Sequence, residues 1–294
     1  MKSRSQPRSW LQLPWLFLVS ALWPALATPS ELRLVPYSPA LARLAYDLGL
    51  SSHIVGVTRW TELPDGSCRP IVGDATGLDV EALLRVRPTW IVFQGRPIPG
   101  IERVQELCPG LRWTSMPLER LGDIATAARR LLELCGAPSN SPPALSRFEA
   151  FLAERSNAYV RARRRVVFVT GTSRPLAASS ETYIGDFIRL CGGEPVDVPG
   201  RNRWRAIDIE SLRQARFDLL LVHGATAAEA AANQAWWESQ LRRAGIPAEV
   251  RSVTGPAWLI PSLQLPELAP ELEAAMRGAT TSATPMQSKR VGSN

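Results

Sequence analysis

The chain has 294 residues, 45% apolar and 21% charged, which is room for two ordinary cores and excludes both a disordered acidic tail and a bundle of membrane spans. Its formal charge of +7 points first to nucleic acid, yet Lys2, Arg4, Arg8, Lys289 and Arg290 lie at the two ends with no acid beside them. Without these five the body carries +2, so the electrostatic footprint of a nucleic-acid binder is missing.

In chain order, three cations precede an apolar run over residues 10–22, and Ala25-Leu26-Ala27 follows as a small-x-small cleavage site. That order reads as a secretory signal over residues 1–27, cleaved near Ala27, with an apolar part too short for a comfortable span. The mature protein is expected to be soluble and exported. Short aliphatic runs then alternate with helical segments. Residues 32–35, 54–57, 90–93 and 111–114 read as buried strands. Residues 39–48, 79–85 and 100–107 read as helices, broken by Gly49, Pro88 and Pro109-Gly110.

Two helices of another kind follow. Residues 122–135 form one amphipathic helix, stopped by Gly136-Ala137-Pro138, and a second runs from 145 to about 164. At ~1.5 Å per residue the second is a ~30 Å strut, stiffer than a hinge. The first pattern then restarts, with strands at 166–169, 219–222 and 248–253 and helices at 183–190, 227–244 and 267–276. A Ser-, Thr-, Pro- and Gly-bearing tail over 278–294 is expected to be disordered. The alternation predicts an α/β fold of two lobes, at 28–140 and 166–277, with mostly parallel sheets covered on both faces and a connecting helix at 141–165.

A repeat ties the lobes together independently. Leu78-Asp79-Val80-Glu81-Ala82-Leu83 lies over Ile207-Asp208-Ile209-Glu210-Ser211-Leu212 at a constant offset of 129, and the match continues without a gap to Phe93 and Val222. Asp79 and Asp208 can each cap a helix, with Glu81 and Glu210 in the first turn, where the macrodipole favours an anion.

The four cysteines, Cys68, Cys108, Cys135 and Cys191, allow three pairings. Cys68–Cys108 is the favoured one because both fall in the first half; buried free thiols are the alternative. With only His53 and His223, no cluster has zinc-ligand spacing.

The signal, the repeat and the stretches Arg33-Leu34-Val35-Pro36-Tyr37-Ser38-Pro39-Ala40, Ile54-Val55-Gly56-Val57-Thr58, Pro70-Ile71-Val72-Gly73 and Leu190-Cys191-Gly192-Gly193-Glu194 together carry a resemblance. The chain resembles the periplasmic binding proteins that feed cobalamin, haem and ferric-siderophore ABC importers, and is most like the cobalamin-binding subgroup. The resemblance spans roughly residues 31–276. It implies two Rossmann-like lobes joined by one long α-helix, with a metal chelate held in the cleft between them. It also implies an inner-membrane permease with its ATPase as partner, a monomer, and a periplasmic location.

The same resemblance proposes the site. Glu81 and Glu210 match the carboxylates that dock on the permease. Trp60 and Trp204 match ring positions of the cobalamin proteins, Trp258 lies near another, and Tyr37 and Pro39 fall at the cleft edge. Where those proteins carry further aromatics this chain has Ala75, Gln94 and Leu176 instead. Arg59, Arg96, Arg174, Arg201, Arg203 and Arg205 gather in the same loops, and guanidinium groups suit ligands with carboxylates, hydroxamates or phosphate. Cobalamin is the first expectation and a ferric siderophore or haem the second. From another class, an exported α/β hydrolase would use His223 as general base, but no nucleophile elbow, phosphate loop or dinucleotide fingerprint accompanies it. The chain is therefore read as a carrier without chemistry.

Overall fold

The computed structural model describes residues 32–136, 142–156 and 164–277. The expected signal, the tail from 278 and residues 157–163 of the expected strut lie outside the described residues. Among the described residues no helix is long and apolar enough to cross a membrane.

The first lobe begins with β1 (Leu34–Tyr37), four buried residues that turn at Ser38 into α1 (Pro39–Asp47). The Ser38 hydroxyl accepts the Leu41 amide, and Pro39 takes the first turn, where its missing N–H has no helical partner to lose. After α2 (Val80–Val86), β2 (Trp90–Phe93), α3 (Ile101–Leu107) and β3 (Arg112–Ser115), the three strands lie parallel in the order β1-β2-β3. Residues 54–57, expected as a full strand, make only isolated parallel bridges, Ile54 to Leu34 and Val57 to Ile71. One cause is visible: Val55 donates to the Leu34 carbonyl, and the next bond of that ladder would need an N–H from position 36, which is Pro36.

Two helices follow, α4 (Leu121–Leu134) and α5 (Pro143–Ser156). The strut thus starts two residues earlier than the sequence suggested and is described for 14 residues, ~21 Å. Leu145 and Phe148 on its inner face are fully buried. Its first half is tied to α4 by Arg129–Glu149 at 2.7 Å, and its end to the second lobe by Arg155–Glu273 and by Phe151 against Phe187, centroids 5.9 Å apart.

The second lobe runs β4 (Arg165–Thr170), β5 (Leu176–Ala178), α6 (Tyr183–Leu190), β6 (Glu194–Pro195), β7 (Trp204–Ala206), α7 (Ile209–Ala215), β8 (Leu219–Gly224), α8 (Ala227–Ala244), β9 (Glu249–Thr254) and α9 (Ala269–Met276). Strands β4, β8 and β9 are parallel neighbours, and β6 joins the start of β4 in the same sense. Beyond β4 the sheet continues through an antiparallel ribbon, β5 then β7, where the sequence predicts loops. Three-residue strands flanked by Arg, Pro and Gly have no room for alternation; their identity comes from pairing, Phe168 with Ala178 and Ala178 with Trp204.

The repeat survives as geometry. Asp79 accepts the Ala82 amide and Asp208 the Ser211 amide; each helix is seven residues long. Each ends on an arginine in the left-handed region, Arg87 at φ 44° and Arg216 at φ 47°, before entering β2 or β8.

Three apolar clusters hold the layers. One covers the outer face of the first sheet, with Val35, Ile91 and Phe93 under Leu83 and Val104. Another covers the outer face of the second, with Val167, Leu220 and Val222 under Leu212 and Trp237. The third is shared: Leu34, Leu41, Val92 and Ile124 run on through Leu145 and Phe148 into Phe168, Phe187 and Trp258. Each such fully buried side chain contributes ~1.5–3 kcal/mol. The lobes are therefore joined by continuous packing as well as by a helix.

Candidate functional site

Between the lobes, where the parallel strands end, lies a cleft of about 370 Å³. That is within the range of small-molecule sites. Gln94 directly follows β2, and Thr170 is the last residue of β4, so both sheets contribute their C-terminal ends, the edge at which α/β folds present ligands. Leu118 and Glu119 come from the segment between β3 and α4. The ribbon supplies Leu176, Arg203 and Trp204, and Leu259 and Pro261 close the far wall. The walls are thus apolar with a few polar groups, the pattern that grips a bulky organic guest and fixes its orientation.

Trp204 stands edge-on to Phe168, centroids 6.3 Å apart at 76°, so the buried Phe168 fixes the tilt of the ring that lines the cleft. Arg203 is held by its backbone, whose carbonyl accepts the Ser179 amide at 2.8 Å. Its Nε forms an ion pair with Glu119 at 2.7 Å, one lobe to the other. The Glu119 main chain is fixed in turn by Asp123, whose carboxylate accepts the amides of Glu119 and Arg120. Next door, Arg120 reaches across with two bonds to Asp186, one of 2.7 Å, and Asp186 also accepts the Leu121 amide and pairs with Arg189. The Asp186 carboxylate beside it raises the Arg120 pKa above the ordinary guanidinium value.

His223 lies behind Thr170. Its Nε2 is 2.9 Å from the Gly255 carbonyl, which can only accept, so Nε2 carries the proton. Nδ1 then accepts from the Thr170 hydroxyl at 3.2 Å, leaving the Thr170 oxygen as an acceptor at the cleft wall. With 4% exposure and both ring nitrogens engaged, His223 is a packing and orienting residue.

The residues singled out in the sequence fall in several places. Trp204 and Arg203 line the cleft, as do Gln94 and Leu176, two of the three positions without the expected rings; Ala75 does not. Trp60 is 83% exposed in a left-handed turn, φ 69°, and lines a separate hollow of about 400 Å³ with Leu63, Cys68 and Ile71. Because Ile54 bridges to Leu34 of β1 in parallel, Trp60 emerges at the same edge of the first sheet as Gln94, further from β3. Arg96 is exposed two residues past Gln94, and Pro39 is half-buried at the start of α1; neither lines the cleft.

Two expected ring contacts are core residues instead. Trp258 has no exposed surface; it stacks on Phe168 at 6.0 Å and donates its indole N–H to Glu271. Its apolar neighbours lie in the core shared between the lobes, which outcompeted the cleft for this ring. Tyr37 is 5% exposed against Phe93, and its hydroxyl donates to the Gly77 carbonyl at 2.6 Å. Burial pushes its pKa up to about 12. Gly73, at φ 138°, allows that approach, since a Cβ there would sit 2.0 Å from the Tyr37 oxygen.

All four cysteines are unpaired, so the favoured Cys68–Cys108 bridge is absent: Cys68 is exposed in the Trp60 hollow and Cys108 caps α3. Burial raises the thiol of Cys135 to about 11 and that of Cys191 to about 12, as suits inert packing thiols. The sequence carries no signal for the cleft residues Leu118, Glu119, Tyr183, Leu259 and Pro261; Tyr183 opens α6, Leu259 ends a short 3-10 turn, and the others lie in connections, so all they share is the place to which the chain returns.

Residues 34–240 match the family of periplasmic binding proteins. A vitamin B12-binding protein of Yersinia pestis (strain Pestoides F) is 24% identical over 213 residues, which is 71% of this chain and 75% of the relative. The crystal structure of the periplasmic vitamin B12 binding protein of Vibrio cholerae superposes with a TM-score of 0.66 at 17% identity, covering 83% of this chain and 96% of that one. The periplasmic haem binding protein of Vibrio cholerae superposes with a TM-score of 0.67 at 19% identity, covering 83% and 98%. With two lobes facing across a cleft, a repeat in both, and a match that takes in most of each sheet, the chain belongs to the periplasmic binding protein family.

Proposed function

We propose that this chain is the exported binding component of an ABC import system, capturing cobalamin or a related metal chelate between its lobes and handing it to an inner-membrane permease driven by its ATPase. The observation that carries the reading is the interlobe cleft, with Trp204 among apolar walls and Gln94, Thr170 and Arg203 as polar contacts. Relatives named for vitamin B12 binding support cobalamin as first choice. A haem-binding protein of equal structural likeness supports haem or a ferric siderophore as the second reading. A cleft of about 370 Å³ holds only part of so large a guest, so the rest would lie along the rim toward Trp60.

Glu81 and Glu210 are proposed as the permease contacts. They occupy equivalent first turns of α2 and α7, with side chains 85% and 61% exposed, each balanced among the described residues only by an arginine of its own helix. Residues 1–27 are read as the signal that directs the chain to the periplasm, where it would act as a monomer.

The deciding experiment is titration of the purified mature chain with cyanocobalamin, haemin and ferric siderophores, followed by tryptophan fluorescence. Saturable quenching that is lost in Trp204→Ala supports the cleft as the site; no response to any chelate removes the reading. Reversing charge at both Glu81 and Glu210 is expected to leave quenching intact and abolish uptake in cells. Ester turnover that disappears with His223→Ala would instead favour a hydrolase using the Thr170 hydroxyl.

A further inference from the structure

Two ion pairs cross between the lobes beside the cleft, and they are built differently. Arg120–Asp186 is a two-bond contact whose carboxylate is 17% exposed and further engaged by the Leu121 amide and Arg189. Glu119–Arg203 approaches most closely at Nε, makes no aligned hydrogen bond, and has side chains 40% and 51% exposed; both partners line the cleft. Neither terminal amino group of Arg203 donates a hydrogen bond among the described residues, whereas the nearby Arg205 is consumed by the Val198 carbonyl and Asp197. Arg203 therefore has a backbone fixed to the sheet, an open guanidinium fork, and a counter-ion held no more tightly than a surface pair.

Resting on the function proposed above, we infer that Arg203 receives an anionic group of the ligand, carboxylate or phosphate, and that Glu119 is the internal anion this group displaces or repels. In the empty protein Glu119 neutralises Arg203 and keeps it aimed into the cleft. A ligand oxyanion, taken through the two terminal amino groups in fork geometry, is a better partner than a carboxylate with no aligned hydrogen bond to the guanidinium. Arg120–Asp186 meanwhile holds the lobes in register, so the exchange does not require the cleft to open.

The test is a signed one, made on the full mature chain by fluorescence titration at low and high salt. The probes are haemin with two carboxylates, cyanocobalamin with one phosphodiester, and a neutral ferric trihydroxamate. Arg203→Gln is expected to weaken whichever anionic probe binds by about tenfold, the size of one lost charge-assisted bond. Glu119→Gln is expected to strengthen that probe several-fold, and salt to diminish both effects. Comparison of the two anionic probes tells carboxylate from phosphate.

Equal weakening by both variants, or no change in either, overturns the exchange while leaving the carrier function standing. Binding of the neutral probe alone does the same. No binding of any probe overturns both. Thermal melting checks the folds, and should Arg203→Gln melt early, Arg203→Lys retains charge without the fork and is expected to fall between.

Discussion

Gln94-Gly95 and His223-Gly224 occupy the same place in the two lobes, at the offset of 129 that relates the repeated helices, and they meet opposite fates. Gln94 is exposed at the cleft. His223 is buried, locked between Thr170 and the Gly255 carbonyl, because β8 runs on through Gly224 and pairs His223 with Thr170 and Val253, whereas β2 ends at Phe93, one residue before Gln94. The first lobe therefore lines the cleft with the residue after a strand end, and the second adds to its strand end Thr170 the antiparallel ribbon β5–β7, which has no counterpart among the described residues of the first. What the lobes share is framework; what distinguishes them carries Leu176, Arg203 and Trp204.

The sharpest way to break this comparison is to attack the core the lobes share. Trp258→Ala should cost ~3–5 kcal/mol, the usual price of emptying a large aromatic site, and urea unfolding should remain one transition in both fluorescence and circular dichroism. Two separated transitions would mean that the lobes are independent. Arg120→Ala is expected to cost less, about 1–2 kcal/mol, since Asp186 keeps Arg189 and the Leu121 amide; a shift in urea midpoint reads it.

The caps come next. Asp79→Ala and Asp208→Ala should lower stability by similar amounts and add when combined, because the two helices share no partner. The Ser211 amide and hydroxyl hold the Asp208 carboxyl below its ordinary value of 3.8. Its contribution is thus present above that value and lost as pH falls through the depressed one, so the gap between wild type and Asp208→Ala should close in strong acid. Unequal losses at neutral pH would weaken the equivalence of the lobes. The smallest effect is predicted at Trp60→Gly. Relief of the left-handed conformation should offset the lost packing of a ring that is 83% exposed, leaving stability within ~1 kcal/mol while chelate affinity falls.

Legibility followed periodicity. Trp90–Phe93, Tyr183–Leu190 and Ala227–Ala244 were marked to the residue because a buried strand or a long helix repeats its own signal. Trp204, expected in a loop at the cleft, lines the cleft from a strand instead, since a three-residue edge strand exists only through its neighbour. Glu119 carried no signal at all. Its meaning depends on Arg203, 84 positions away in the other lobe, and such a pairing is a property of the closed chain rather than of any window. Trp258 and Tyr37 show the converse, where an aromatic after a strand was claimed by the interior.

The apolar seam through Leu34, Phe148 and Phe168 bears on how such a chain can be divided. Severed between positions 137 and 141, the halves would each bare an oily flank that was never meant to meet water. Neither should stay in solution alone, and co-expression should rescue the pair as a complementing heterodimer.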